Sequence, residues 1–209
     1  MKINEIFYSI QGEGKWTGLP NTFIRTTGCN LRCSFCDTKY AYENGKEMSI
    51  EEIINEIQKF PCNFVCITGG EPLLQDEILD LIDILLKRGY KICLETNGSI
   101  NIEKIASKES LMVSLDIKCP SSNMHEKMRL NNLSYLTNYD QLKFVIKNKE
   151  DYDYAKNIIR KYKPQSTVFF QPVWNTNPKN LSSWILNDSL NVRLGLQLHK
   201  ILWGDKKGV

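Results

Sequence analysis

No apolar run in this chain approaches the length needed to cross a membrane, and Asn4 and Glu5 interrupt the opening stretch where a secretion signal would be unbroken. The expectation is a cytoplasmic protein without membrane association. A linker rich in proline, glycine or serine is also missing, as are low-complexity tracts and repeats of solenoid period. One domain over residues 1–209 follows, at a length that buries a substantial core. There is little excess charge: the net value is +3, and the only basic cluster near an end is Lys206-Lys207. Electrostatics alone therefore point to no nucleic-acid partner. The most informative absence is a fourth thiol. Cys29, Cys33 and Cys36 crowd into one short stretch with no further cysteine beside them, whereas structural zinc and electron-transfer clusters usually take four protein ligands. A metal centre with one open position binds substrate or cofactor there.

In a reducing compartment the chain's seven cysteines are thiols and metal ligands rather than disulfides. Cys62 and Cys66 offer only two thiols, and Cys93 lies inside a strand; with Cys119 they read as small buried hydrophobes. A zinc site completed by Cys119 or His125 is the competing reading of the trio.

Short β-type runs alternate with helical patterns along the chain. The strands are read at Thr22 to Thr27, Phe64 to Thr68, Lys91 to Thr96, Met112 to Ile117, Leu142 to Ile146, and Thr167 to Phe170. Ser49-Ile50-Glu51-Glu52 is a capping box that opens a helix through about Lys59. Asp76 to Arg88 is amphipathic and stops at Gly89, and Tyr152 to Tyr162 supplies a third helix. Strands separated by helices indicate parallel β-α-β units, hence an α/β sheet or an incomplete barrel.

Alternation within the strands separates two faces. Ile92, Leu94, Val113, Leu115, Ile117, Leu142, Phe144, Ile146, Val168 and Phe170 form an apolar set that belongs beneath the helices. The opposite set is polar for a buried parallel sheet: Arg25, Cys66, Thr68, Cys93, Glu95, Ser114, Asp116, Lys118, Lys143 and Gln171. A sheet curled around a polar cavity accounts for both, and an open sheet with a solvated second face is the plainer alternative. The cysteine loop, Gly69-Gly70-Glu71-Pro72, Glu95-Thr96-Asn97-Gly98, Asp116-Ile117-Lys118 and Gln171-Pro172 all fall at carboxyl ends of strands. In β/α folds the loops there converge on a common mouth.

The C-x3-C-x2-C spacing of Cys29, Cys33 and Cys36, with Thr68-Gly69-Gly70-Glu71-Pro72 one strand later, resembles the radical S-adenosylmethionine (SAM) superfamily. That resemblance implies an incomplete (β/α)6-type barrel, and three thiolates holding a 4Fe-4S cluster whose fourth iron chelates SAM. It also implies SAM contacts from Phe35, Asp37, Gly70, Glu95, Asn97, Asp116, Ile117 and Lys118, and from Gln171, Pro172, Val173 and Trp174. By themselves several of these residues are ordinary turn formers, Asn97-Gly98 above all.

Phe7-Tyr8-Ser9-Ile10-Gln11-Gly12-Glu13-Gly14, Phe23-Ile24-Arg25, Cys36-Asp37-Thr38 and the closing Gln197-Leu198-His199-Lys200 together resemble the 7-carboxy-7-deazaguanine synthase (QueE) family over nearly the whole chain. The implied reaction converts 6-carboxy-5,6,7,8-tetrahydropterin to 7-carboxy-7-deazaguanine and ammonia, with SAM used catalytically, in queuosine and deazapurine biosynthesis. The implied substrate contacts are Ile10, Gln11, Gly12, Arg25 and Thr68, to which Glu13 and His199 are added as polar groups. Thr38 matches the position whose hydroxyl ligates Mg2+. A flavodoxin- or ferredoxin-type electron donor and a homodimer are the implied partners. From the residues alone, a mobile turn competes at Gln11 to Gly14 and an ion pair with Glu95 competes at Arg25, where the substrate reading is favoured because a buried cation without a partner is costly. Trp203 to Val209 runs past the closing family segment, as a short extension. Two other functions compete: a glycyl-radical-enzyme activase, and a non-catalytic metal-binding or electron-transfer module.

Overall fold

Nine strands form one sheet, and the order in which they pair decides where every side chain named above ends up. The structure, a computed structural model, describes residues 1–209. The strands are β1 (Lys2–Ile10), β2 (Pro20–Thr26), β3 (Lys46–Glu47), β4 (Phe64–Gly69), β5 (Lys91–Thr96), β6 (Leu111–Asp116), β7 (Gln141–Ile146), β8 (Thr167–Pro172) and β9 (Arg193–Leu194). They pair in the order β3-β1-β2-β4-β5-β6-β7-β8-β9. From β2 to β9 every pairing is parallel, while β1 runs antiparallel to both β2 and β3. The two ends of the order, β3 and β9, do not pair with each other, so the sheet stays open.

The six strands expected from the sequence are β2 and β4 to β8. The structure adds β1, β3 and β9, which periodicity did not reveal. β1 carries Lys2, Asn4, Glu5 and Ser9 among its apolar residues and is mostly half-buried, so it lacks a clean two-residue alternation. β3 and β9 are two residues long and exposed.

The helices are α1 (Ile50–Ile57), α2 (Ile78–Lys87), α3 (Lys149–Tyr162), α4 (Pro178–Asn187) and α5 (Leu198–Trp203). At the start of α1, the Ser49 side chain accepts from Glu52 N, and the Glu52 carboxylate accepts from Ser49 N. α3 begins three residues earlier than expected, because the Asn148 side chain caps it by accepting from Asp151 N. The β5–β6 and β6–β7 connections contain no α-helix. There Ile102, Ile105, Leu133 and Leu136 do the covering from irregular chain and short 3-10 turns.

All ten residues of the expected apolar set are buried in one core with Ile53 and Ile57 of α1, Leu81 and Leu85 of α2, Tyr152 of α3 and Leu181 of α4. The opposite face is layered by the strand register. Phe23, Cys66, Cys93 and Met112 pair as one row across β2, β4, β5 and β6, and Trp16 joins them to make a small apolar floor. Two residues further along each strand stand Arg25, Thr68, Glu95 and Ser114. A parallel sheet with matched register turns a period of two into horizontal layers. No helix is long and apolar enough to cross a membrane.

Candidate active site

Above the apolar floor lies a cavity of about 490 Å³, lined at the carboxyl ends of β2 and β4 to β8 and closed by the segments flanking the sheet. Cys29, Cys33 and Cys36 all face it. Their loop is held in place by Gly28 N donating to Ala41 O at 2.8 Å, and by the Ser34 hydroxyl donating to Ser121 O at 2.6 Å. The Cys29 sulfur accepts from Leu31 N at 3.4 Å and from the Asn97 amide at 3.8 Å. Burial raises the Cys29 and Cys33 thiols above their ordinary range, with the Leu31 N–H pulling Cys29 back.

The three thiols are not drawn together as the ligands of a single ion would be. A tetrahedral zinc ion with Zn–S near 2.3 Å holds its sulfurs roughly 3.8 Å apart, and these three are not gathered within 4.8 Å of one another. Neither fourth ligand of the zinc reading is present. Cys119 is sealed in the apolar core, and His125 stacks edge-on against Tyr154 away from the cavity.

The Gly69-Gly70-Glu71-Pro72 turn is bound to the cysteine loop by its backbone. Glu71 N donates to Gly28 O at 2.8 Å, and a methyl group at Gly70 would collide with that same carbonyl. The Glu71 side chain is fully buried and accepts from Thr96 Oγ1, Asn97 N and Leu73 N at 2.7–3.1 Å. Burial raises its carboxyl, and these donors partly offset the effect. Glu71 thus fastens the β4 turn to the β5 turn and does not face the cavity.

Arg25 takes a partner other than the Glu95 considered above. Its Nε donates to Glu5 Oε1 at 2.7 Å, an oxygen that also accepts from the Tyr40 hydroxyl at 2.9 Å. Glu5 is the residue that β1, the strand absent from the sequence reading, places opposite Arg25. Glu95 instead accepts from Thr68 Oγ1 at 2.8 Å and from the Gln11 amide at 3.4 Å. That amide also donates to Cys66 Sγ at 3.3 Å and so ties the entry loop to the floor.

The far wall is an ionic network. Lys143 Nζ lies 2.6 Å from Glu13 Oε2 and 3.5 Å from Asp116 Oδ2, and Lys118 Nζ lies 2.9 Å from that same Asp116 oxygen. The other Glu13 oxygen accepts from Gln171 and Gln197 at 3.0 and 2.9 Å. Burial opposes the Glu13 charge, but Lys143 and His199 overcome it and hold the carboxyl down to about 2. Burial likewise opposes the Lys118 charge, while Asp116 drives its ammonium up to about 12. Asp116 Oδ1 is buried, without a hydrogen-bond partner, in a residue that lines the cavity, which is the disposition of an acceptor reserved for a ligand. At the mouth, Thr38 Oγ1 donates to Asp37 Oδ1 at 2.8 Å and Lys200 Nζ lies 3.1 Å from Asp37 Oδ2. Burial works against the Asp37 charge, and Lys200 pulls its carboxyl below the ordinary value.

Of the residues singled out from the sequence, Ile10, Gln11, Gly12, Glu13, Arg25, Phe35, Asp37, Thr38, Thr68, Gly70, Glu95, Asn97, Asp116, Lys118, Gln171, Val173, Trp174 and His199 line this cavity with the three cysteines. Ile117 and Pro172 do not. Ile117 is in the apolar core, and Pro172 follows Gln171 on β8, so alternation turns both away from the cavity. Gly12 packs so closely on the His199 imidazole that a methyl group there would overlap the ring, and Leu198 N donates to Gly12 O at 3.0 Å. The start of the chain and α5 therefore meet at the cavity.

Lys143 and Ser114, placed by alternation on the polar face but given no specific contact there, also line the cavity, as do Gln197, Lys200, Tyr42 and Val209. Lys143 had a signal, as a cation in the middle of an apolar strand. Val209 had none, since Trp203 to Val209 reads as an extension, yet the chain returns there to the cavity wall.

Residues 23–166 match the radical SAM superfamily. Over all 209 residues the chain is 39% identical to a 7-carboxy-7-deazaguanine synthase of Thermoplasma acidophilum, covering both proteins completely. It is 40% identical to the enzyme of the same name from Koribacter versatilis, again over the full length of both. Residues 203–209 thus fall within the aligned length rather than beyond it. Among solved structures, QueE from Escherichia coli superposes with a TM-score of 0.79 at 25% identity, over 95% of this chain and 94% of that one.

Proposed function

From a chain that belongs to the radical SAM superfamily and, within it, to the 7-carboxy-7-deazaguanine synthase family, we infer a lyase that converts 6-carboxy-5,6,7,8-tetrahydropterin to 7-carboxy-7-deazaguanine and ammonia. Its cofactors are a 4Fe-4S cluster, SAM and Mg2+. The observation that carries the reading is one cavity with three thiols in its wall and Arg25, Thr68 and Glu13 lining it as well. When bound, the cluster and SAM supply a hydrogen-abstracting radical, which is chemistry no side chain can perform. The overall conversion is redox-neutral, so SAM can be recovered after each turnover.

The chain's own residues bind, orient and exclude water. Cys29, Cys33 and Cys36 are the cluster ligands in this reading, and the Leu31 and Asn97 N–H groups aimed at Cys29 stabilise its thiolate. Gly70 would let the backbone approach SAM, the free Asp116 oxygen would offer it an acceptor, and Phe35, Val173 and Trp174 would provide apolar walls. Arg25 keeps its charge while only Nε is engaged, which leaves the Nη donors for the substrate carboxylate. Thr68, Gln11, Gly12, Glu13 and His199 meet the pterin edge. Thr38 beside Asp37 offers the hard oxygen donors that Mg2+ prefers.

The same reading takes a flavodoxin- or ferredoxin-type donor, a homodimer and a cytoplasmic setting. Seven unpaired thiols support a reducing environment. Ile201 and Leu202, exposed on α5, are apolar surface that a second copy would cover.

The test is anaerobic turnover of iron-reconstituted protein with SAM, a reductant, Mg2+ and the tetrahydropterin, read by mass spectrometry. The expected product is 7-carboxy-7-deazaguanine. Cleavage of SAM without that product, in protein with verified iron content, would refute the substrate assignment and retain the superfamily chemistry.

A further inference from the structure

Lys143 is a buried cation with no task in the proposed chemistry, and it pairs with both Glu13 and Asp116. Its neighbours come from four elements: Glu13 from the loop after β1, Asp116 and Lys118 from the end of β6, Glu95 from β5, and His199 of α5 across Glu13. The contact to Glu13, at 2.6 Å, is the short charge-assisted kind. The contact to Asp116 is longer, at 3.5 Å, and Asp116 already has Lys118 closer. Glu13 has no second cation within ion-pairing distance, since its other oxygen is met by the neutral amides of Gln171 and Gln197. Removing Lys143 would leave Asp116 paired with Lys118, and Glu13 buried with only the Gln171 and Gln197 amides and the charge of His199 beyond ion-pairing distance.

The loop that carries Glu13 does not depend on Lys143 for its position. Gln141, two residues earlier on the same face of β7, accepts from Lys15 N at 2.7 Å and donates to Ser114 Oγ at 2.7 Å. Gly14 packs directly on that Gln141 side chain. Position and charge are thus supplied by different residues of one strand, which makes the charge separable by mutation.

Building on the substrate reading of this cavity, we propose that Lys143 is a positioning residue that keeps Glu13 ionised and aimed at the substrate. The inferred chain of effect runs from Lys143 to Glu13 to the pterin edge. Glu13 then accepts hydrogen bonds only, and a protonated Glu13 would present an O–H where the substrate presents donors.

The test uses reconstituted full-length enzyme with Lys143→Met, Lys143→Arg, Glu13→Gln and the double variant Lys143→Met/Glu13→Gln. The primary readout is the Glu13 carboxylate band in isotope-edited infrared difference spectra between wild type and Glu13→Gln, which needs neither substrate nor cluster. In wild type the band stays ionised throughout the range from about pH 5 to 9. In Lys143→Met it is expected to protonate within that range, because burial is then opposed only by His199 and the two neutral amides, without the largest of the opposing charges. Steady-state kinetics should show KM for the pterin raised at least about tenfold, with kcat less affected and a new acidic limb in kcat/KM. The double variant should be no worse than the poorer single, and Lys143→Arg should restore the ionised band. An ionised Glu13 band across that range in Lys143→Met would overturn the proposal. So would an ordinary additive loss in the double variant with an unchanged pH profile, the mark of a merely structural ion pair. If wild type fails to turn over the pterin, the substrate reading falls, while the infrared result still decides the role of Lys143.

Discussion

The two faces of the same strands obey different physics. On the helix-covered face, Leu94, Leu115, Leu142, Phe144 and Phe170 are fully buried, and side chains of similar volume and polarity are tolerated there. On the cavity face, one residue away along each strand, Glu95, Asp116, Lys143 and Gln171 are held by specific distances to specific partners. Apolar burial is non-directional and tolerant, whereas a buried charge demands a named counter-charge. Stability therefore resides mainly on one face and chemistry on the other.

Mutations can test how clean that division is. The largest effect is expected at the cysteine loop: Cys29→Ala, Cys33→Ala or Cys36→Ala should abolish turnover and lower the iron content of reconstituted protein. Circular dichroism should show the fold retained, because these half-buried thiols lie outside both apolar clusters. A variant with full iron and activity would remove the trio from the site.

Phe144→Ala is the converse experiment. Deleting a fully buried ring from the helix-covered core should cost about 3–5 kcal/mol in denaturant unfolding, with KM of the remaining folded enzyme close to wild type. A KM that rises with the loss of stability would mean that the two faces are coupled through β7.

Acid should strike the cavity face first. Glu13 is held below its ordinary value of 4.5, at about 2, so its folded form binds protons less readily than the unfolded chain. Its stabilisation is complete above pH about 4.5 and is lost as pH falls through about 2. The stability difference between wild type and Glu13→Gln should shrink over that window, while the cost of Phe144→Ala stays level. A difference that does not respond to pH would show that the ion pair is not what Glu13 contributes.

The smallest effect is expected at the floor. Cys66 and Cys93 are fully buried beside Phe23 and Met112, and burial raises the Cys66 thiol well above its ordinary range. As small hydrophobes, Cys66→Ala and Cys93→Ala should each cost on the order of 1 kcal/mol and leave cluster iron unchanged. Loss of iron in either variant would make them ligands.

Much of this arrangement is legible without a structure. The parallel strands, their two faces and the gathering of motifs at carboxyl ends are consequences of local periodicity and element order. The Ser49 capping box and the apolar set are equally local. Alternation places Arg25, Thr68, Glu95, Asp116, Lys118 and Gln171 on the cavity side, while the remaining twelve of the eighteen singled-out residues that line the cavity with the cysteines were legible only through the family resemblance.

What the chain's order alone determined was therefore which residues face inward and which chemistry the cysteine loop can host. Only the tertiary structure decided who faces whom. Arg25 pairs with Glu5 because β1 inserts antiparallel beside β2, and Glu13 meets Lys143 across 130 positions of sequence. Lys200 reaches Asp37 and Val209 reaches the cavity wall because the chain comes back to its beginning at α5. Periodicity is a property of neighbours a few residues apart, but the partner of a buried charge is set by strand register and by the return path of the chain, and neither is written in any local stretch.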